Sequence, residues 1–218
     1  MLKSRLLPLT GIAFVALILS SVFIVNTPDS TASAGTVLAY YRTHGHVTFI
    51  SALLTGLGII FGLFFYGYLR EYLRQDRATR WLASTAFGGA LLFATGGALA
   101  AGSFFALSDK PDVLTAATAQ SINLIQGDVG TGLMQAGLGV FYLATAAAIL
   151  RGRLLPAWLG WVSVVVGLVA ASVFLTFIAF IATALWVVTV AIMLSVKAAH
   201  ERAEQQSTQP EPEYVGTP

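Results

Sequence analysis

The uncharged stretch LLPAWLGWVSVVVGLVAASVFLTFIAFIATALWVVTVAIMLSV, residues 154–196, decides the fold class of this chain. As one helix, these residues would extend about 65 Å at 1.5 Å per residue, roughly twice the thickness of the hydrocarbon core of a bilayer. We therefore predict two membrane-spanning helices joined by a tight turn near residues 172–177. No Gly, Pro or Asn marks the position of that turn.

The composition of the whole chain indicates a lipid environment. Hydrophobic residues make up 56% and charged residues 10% of the 218 positions, whereas a soluble domain has about 25% charged residues. Too few polar side chains remain to cover a water-soluble surface, so the bilayer is the expected partner of most of the chain. The net charge of +2 does not indicate a nucleic-acid partner. The absence of cysteine excludes disulfides, thiolate metal sites and a cysteine nucleophile.

Hydrophobic runs and basic residues together predict an all-α, six-helix transmembrane bundle with both termini in the cytoplasm. The spans cover approximately residues 6–26, 46–69, 81–107, 127–150, 155–174 and 177–197. Ten basic residues then lie on the cytoplasmic side, and only Arg42 and Lys110 lie outside, as the positive-inside rule requires. Five spans would fit less well, because Lys197 and Arg202 would lie outside. A membrane domain over residues 1–200 is followed by a tail, residues 201–218, that we expect to be disordered.

The first hydrophobic run has an alternative interpretation as a cleaved signal peptide. Basic residues precede it, and Ala32, Ser33 and Ala34 follow it. Its apolar core of about 20 residues exceeds the 7–15 residues that are usual in signal peptides. We favour an uncleaved first span.

Residues 37–49, VLAYYRTHGHVTF, precede the second span. We predict a short interfacial helix over residues 31–44 on the outer surface, capped by Ser or Thr at 30–33 and stopped by Gly45. The residues expected on its apolar face are Ala34, Val37, Leu38 and Tyr41.

Two of the three histidines of the chain lie at the end of this segment. On a helix His44 and His46 would be about 200° apart, so they share a metal ion only if Gly45 breaks the helix. Anchoring at the membrane interface is the favoured role, and no metal or cofactor site is predicted.

Polar residues at membrane depth are costly, and the fourth span has the clearest set. One helical face carries Asp128, Thr131, Gln135 and Tyr142, at spacings of three, four and seven residues. In one interpretation Asp128 caps the helix, and Thr131 and Gln135 hydrogen-bond to neighbouring helices. In the other, this polar stripe lines an outward-facing cavity, with Arg42 or His46 as an outer partner.

Small residues recur within the predicted spans at a spacing of four, which lets helix backbones approach closely. The members are Gly58 and Gly62; Ser84, Gly88, Gly96 and Ala100; Gly132 and Ala136; and Ser163, Gly167 and Ala171. We expect these residues to pack helices within one bundle, with a dimer seam as the alternative.

Several segments resemble a loose group of bacterial membrane proteins of unknown function that are common among actinobacteria. They are TVLAYYRTHGH at residues 36–46, GYLREYLR at 67–74 and LLPAWLGWVS at 154–163. The resemblance implies a six-helix fold in a bacterial plasma membrane. It carries no activity, ligand or site residue.

Functional expectations follow from what the sequence lacks. It has no His-Glu-x-x-His, no Gly-x-Ser-x-Gly and no P-loop, so we predict a protein that is not an enzyme. The leading hypothesis is a scaffold, partner-binding or accessory membrane component, with a protein partner or a second copy of the chain. The alternative is a carrier or binding protein for a small molecule or lipid that uses the polar stripe of the fourth span.

Overall fold

The computed structural model describes residues 6–172 and 175–207, and every regular element in those ranges is helical. The α-helices are α1 Leu6–Phe23, α2 Ala34–Leu73, α3 Arg80–Asp109, α4 Ala116–Leu124, α5 Thr131–Gly152, α6 Ala157–Ala171 and α7 Thr176–Ser207. A 3₁₀ turn, Pro111–Val113, precedes α4, and a π-helical turn, Ile125–Gly130, joins α4 to α5.

The helices confirm the prediction of an all-α fold with several membrane-spanning candidates. Five helical segments are long and apolar enough to cross a bilayer: α1, α2, α3, the continuous segment Ala116–Gly152, and α7. The remaining helix of the bundle, α6, is apolar but has only 15 residues. The long uncharged stretch is divided after Ala171 and before Thr176, within the interval predicted for the turn.

Six helices, all except α4, form a closed ring in which each helix packs against its neighbours in the chain. The contacts run from α1 to α2, α3, α5, α6 and α7, and α7 returns to α1. Neighbouring helices are antiparallel; for example, Ile18 of α1 lies beside Gly58 of α2, and Phe65 of α2 lies beside Gly11 of α1. An antiparallel ring is the expected outcome of short connections between consecutive helices.

The two ends of the ring differ in charge and in covering. We call one end the basic end, because it carries Arg70, Arg74, Arg77, Arg80, Arg151, Arg153 and Lys197. We call the opposite end the capped end, because α4 packs there against α2 and α3. Arg42 and Lys110 lie at the capped end.

Glycines set the closest helix contacts, between α3 and α5. A Cβ atom built on Gly89 would lie 2.5 Å from the Phe141 backbone nitrogen, and one on Gly96 would lie 2.6 Å from the Gly130 carbonyl oxygen. A Cβ on Gly137 would collide with the backbone nitrogen of Phe93. The two backbones are therefore in direct contact, as expected for small-residue packing in lipid.

Some of the predicted small-residue motifs face away from the ring. Gly58 and Gly62 pack within the bundle, against Ile18 and Phe14. Gly88 and Gly132 have no atom within 4 Å of a Cβ position. The predicted packing face is therefore right for Gly58 and Gly62 on α2 and for Gly96 and Ala100 on α3, whereas Gly88 and Gly132 face outward.

The predicted outer helix is not a separate element, because its residues form the first part of α2 up to a kink at His44. Ser33 caps α2 as predicted, accepting a hydrogen bond from the Thr36 backbone N–H at 3.2 Å. The helix bends at His44, whose φ of −113° and ψ of 18° are not helical, but it does not stop at Gly45. Gly45 instead permits close approach of α3, since a Cβ there would lie 3.3 Å from the Ser108 carbonyl oxygen.

The first turns of α2 pack on protein. Val37 and Tyr41 are fully buried, in a cluster with Phe104, Leu107 and Ala119. The apolar face that the sequence predicts for lipid contact thus covers α3 and α4.

Hydrogen bonds among Tyr72 of α2, Lys197 of α7 and the backbone of Leu154 close the ring at the basic end. Lys197 Nζ of α7 donates a hydrogen bond to the Tyr72 hydroxyl at 2.6 Å, and this hydroxyl donates to the Leu154 carbonyl oxygen at 2.9 Å. The helix α7 continues to Ser207, into the segment that we expected to be a disordered tail. The residues HERAEQQ there include strong helix formers, which explains the extension. The rest of the predicted tail, 208–218, lies outside the described residues.

Candidate ligand-binding cavity

Between the helices of the ring lies a partly open cavity of two adjoining chambers, which occupies the half nearer the capped end. The inner chamber has a volume of about 100 Å³. Its walls come from five helices, and its largest lining side chains are Phe14, Ile18, Phe93, Met134, Leu138 and Phe180. The outer chamber, of about 360 Å³, shares Ile18, Phe93, Met134 and Phe180 with it.

The outer chamber extends from these shared side chains to the capped end. Ser51 and Thr55 of α2 and Gly97 and Ala100 of α3 form part of its wall. Val25, Asn26 and Thr27, from the loop between α1 and α2, line it near the capped end. Gln126 of the π-helical turn completes this part of the lining.

The polar stripe of the predicted fourth span is only partly assembled. Thr131 and Gln135 are half-buried and line the inner chamber. Tyr142 is fully buried on the same helix but lines neither chamber. Asp128 is exposed on the π-helical turn. The structure thus brings two of the four residues to the cavity.

The π-helical turn explains the position of Asp128. An i to i+5 turn contains more residues than an α-helical turn, so a face projected backward from α5 at α-helical spacing is displaced there. Asp128 does not cap α5: Gly130 is the N-cap residue, and no side chain makes a capping hydrogen bond. Instead Gln126, which the sequence placed just outside the stripe, lines the cavity.

An aromatic cluster of Phe14, Tyr66, Phe93, Phe141, Tyr142 and Trp186 separates the cavity from the basic end. Edge-to-face contacts join its members; ring centroids are 4.9 Å apart for Tyr66 and Phe141, and 5.1 Å apart for Tyr142 and Trp186. Trp186 Nε1 of α7 donates to Ser163 Oγ of α6 at 2.9 Å. Such pairs contribute about 0.5–1.5 kcal/mol each beyond burial, so the cluster is a firm base for the cavity.

Some buried hydroxyl groups near this cluster lack hydrogen-bond partners within residues 6–172 and 175–207. They belong to Tyr66 and Thr145, whereas the Tyr142 and Thr183 hydroxyls lie next to each other. Thr183 of α7 lines the inner chamber and is 6% exposed. An unpaired buried hydroxyl destabilises a fold by about 1–3 kcal/mol.

The loop between α1 and α2 is held in place by α4, and we call this loop, residues 24–33, the roof. Asn123 is 2% exposed, and its Nδ2 donates to the carbonyl oxygens of Pro28 and Asp29 at 3.4 and 3.2 Å. Its Oδ1 accepts from the Tyr41 hydroxyl at 3.3 Å. Gln120 Nε2 donates to the Ser30 carbonyl oxygen at 3.0 Å.

The roof also has its own local structure. Asp29 Oδ1 accepts hydrogen bonds from the hydroxyl and the backbone N–H of Thr31, at 2.6 and 2.8 Å. These bonds lower the pKa of Asp29. Sequence reasoning missed the contacts between the roof and α4, because they join residues about 90 positions apart in the chain. The available signal was a pair of amide side chains, Gln120 and Asn123, three residues apart and close to the start of the predicted fourth span.

The predicted outer partners Arg42 and His46 do not reach the cavity. They lie in a separate surface depression beside Tyr41 and Asp109. Arg42 Nε is 3.6 Å from Asp112 Oδ1 in an exposed ion pair. His44 stacks on Tyr40 with ring centroids 4.6 Å apart. Within the described ranges, no three His, Asp or Glu side chains are grouped as a metal site would require.

Comparison with known proteins does not assign a function, so the function has to be inferred from the geometry of the cavity. No protein-family model, curated protein or solved structure matches the chain. The fold defines a class, namely an all-helical protein with several helices able to cross a membrane. The cavity within the ring is the feature from which a function can be argued.

Proposed function

We propose that this protein is a non-enzymatic, six-span protein of a bacterial plasma membrane that binds a small amphipathic molecule or lipid. The observation that carries the proposal is the cavity inside the ring of helices. Ligand sites are typically concave and mostly apolar, with a few polar groups that orient the ligand. The two chambers have this composition, with Thr131 and Gln135 among apolar side chains in the inner one.

The arrangement of α6 supports six spans. It packs antiparallel to α5, with Gly160 beside Leu150 and Gly167 beside Tyr142, so it runs from the basic end toward the capped end. A rise of 1.5 Å per residue gives 15 residues about 22 Å, and the apolar residues Leu154 and Leu155 precede α6 in the chain. Placing the basic end in the cytoplasm follows the positive-inside rule, and puts both chain termini there. The resemblance to actinobacterial membrane proteins supports the bacterial location.

Closure at the basic end favours binding over free passage. The aromatic cluster fills the ring below the inner chamber, and Tyr72 and Lys197 join helices further along. A molecule in the cavity therefore meets a closed surface on the cytoplasmic side. At the other end, residues of the roof line the outer chamber.

Filling the cavity tests this proposal. Ala184 lines the inner chamber and Ala100 the outer one, so Ala184→Leu and Ala100→Leu each reduce its volume. Ala98 is exposed on the outer face of α3, and Ala98→Leu is the matched control. Each variant is purified in mild detergent, checked by size-exclusion chromatography, and extracted with organic solvent for mass spectrometry.

We expect a compound that copurifies with the wild-type chain and with Ala98→Leu, and that falls at least tenfold in the two filled variants. An extract with no such compound would contradict the proposal. So would one in which its amount is equal in all four folded proteins.

A second candidate function, a scaffold or accessory component, is favoured by the outer face of α3 and α5. Gly88, Gly102 and Gly132 are exposed there with no atom within 4 Å of a Cβ position. Such a face allows close approach of a partner helix or a second copy. Gly132→Cys should then form a disulfide-linked dimer in membranes, whereas Leu185→Cys on α7 should not. No crosslink from Gly132→Cys would count against self-association.

A further inference from the structure

We propose that the cavity takes an uncharged, single-chain amphiphile, with its polar head group beneath the roof and its chain directed toward the aromatic cluster. This inference rests on the proposed function and specifies the class of ligand. Three observations support it: the charge of the lining, the placement of its polar groups and the volume of the inner chamber.

The lining of both chambers has no charged side chain. None of the residues that surround either chamber is Asp, Glu, Lys, Arg or His. The nearest charged residues along the chain are turned elsewhere: Asp128 is exposed, and Asp29 accepts hydrogen bonds from Thr31. An ionised head group would lose water without gaining a counter-charge, at a cost of several kcal/mol. A neutral head group needs only hydrogen bonds.

Three polar side chains line the outer chamber at the roof. They are Asn26 and Thr27 of the roof and Gln126 of the π-helical turn, and within the described ranges none of these side chains makes a hydrogen bond. They supply amide donors, carbonyl acceptors and a hydroxyl. Deeper in the same chamber the Thr55 hydroxyl is already bonded, with donor–acceptor distances of 3.1 Å to Ser21 and 2.9 Å to Ser51. A head group with several oxygens therefore finds its partners at the roof.

The inner chamber limits the apolar part of the ligand. Its volume of about 100 Å³ is smaller than that of an engineered apolar cavity of roughly 150 Å³ that binds one benzene molecule. It has room for the end of one narrow chain and no room for two acyl chains side by side. Phe14, Phe93 and Phe180 give that chain an apolar surface.

A series of probes with one oleoyl chain separates head-group charge from chain binding. We would titrate the detergent-solubilised full chain with monooleoylglycerol, which is neutral, oleoyl lysophosphatidylglycerol, which is anionic, and oleoylcholine, which is cationic. Native mass spectrometry counts the bound molecules. The neutral probe should bind at least tenfold more tightly than either charged probe, and Ala100→Leu, but not Ala98→Leu, should weaken it at least tenfold.

Two polar positions test the orientation. Gln126→Leu removes a hydrogen-bond partner of the head group and should weaken the binding of monooleoylglycerol at least threefold. Thr183→Val removes the hydroxyl from the inner chamber at nearly constant volume, and should leave binding unchanged or tighter. The opposite pair of results would place the head group against α7 and overturn the proposed orientation.

The outcomes distinguish an error in the inferred ligand class from an error in the proposed function. If charged probes bind as tightly as the neutral one, and Ala100→Leu weakens all of them, the cavity binds ligands but the inference of an uncharged ligand is wrong. If no probe binds, or if neither Ala100→Leu nor Ala184→Leu changes the binding, both the proposed function and the inference of an uncharged ligand are wrong.

Discussion

Arg153 shows how a single residue can carry backbone strain in this fold. It ends α5 with φ of 52° and ψ of 22°, and its backbone N–H bonds the Ile149 carbonyl oxygen at 2.9 Å. Residues with a Cβ atom pay about 1–2 kcal/mol for this left-handed conformation, and glycine does not. The position suits a glycine, yet the sequence retains a cation where the positive-inside rule favours one.

Substitution of Arg153 measures this strain. Arg153→Gly and Arg153→Ala both remove the charge, so their difference reports the backbone alone. We expect the Gly variant to be more stable than the Ala variant by about 1 kcal/mol, read from thermal unfolding in detergent. Equal melting temperatures would show that α5 ends without strain.

Asn123 is the residue on which the roof depends most. Asn123→Ala removes three hydrogen bonds and leaves the buried Tyr41 hydroxyl unpaired, so we expect a loss of about 1–3 kcal/mol. Limited proteolysis should then cleave within residues 24–33. Ser121→Ala, which alters an exposed hydroxyl on the same helix, is the control and should behave like the wild type. If residues 24–33 resist proteolysis in Asn123→Ala, contacts other than those of Asn123 hold them in place.

Between elements, adjacent glycines of α3 have opposite environments. A Cβ on Gly89 collides with α5, whereas one on Gly88 meets nothing within 4 Å. We expect Gly89→Ala to destabilise the protein by about 1–3 kcal/mol through overpacking. Gly88→Ala should be neutral, or stabilising by up to about 1 kcal/mol through helix propensity. Chemical unfolding in detergent measures both, and equal effects would place the α3–α5 contact on another face.

The elements also show what sequence patterns can and cannot predict. Runs of apolar residues were sufficient to predict the long helices and the break near residue 172, and the four-residue spacing of small residues predicted the packing at Gly58 and Gly62. The π-helical turn and the bend at His44 were not predictable, because tertiary contacts select them over an α-helix of similar energy. The cavity was predicted only through Thr131 and Gln135, since its other walls come from distant segments with ordinary apolar side chains.

For the whole molecule, the proposed orientation has a direct test. The chain has no native cysteine. Gly35→Cys at the capped end and Gln75→Cys at the basic end both occupy exposed positions. On intact cells a membrane-impermeant maleimide should label the first variant only, and on inverted vesicles the second only. Labelling of Gln75→Cys on intact cells would place the basic end outside.

The direct contact between α3 and α5 has a consequence for how the molecule can admit anything. No side chains lie between the peptide groups of Gly89, Gly137 and their neighbours, so rotamer changes cannot separate this pair. That wall of the chamber must keep its shape. Expansion is left to the facing wall, where Phe14 and Phe180 sit on α1 and α7 and side chains fill the space. A solute dissolved in the bilayer would therefore enter from the side, past α7, while the wall formed by α3 and α5 keeps its position.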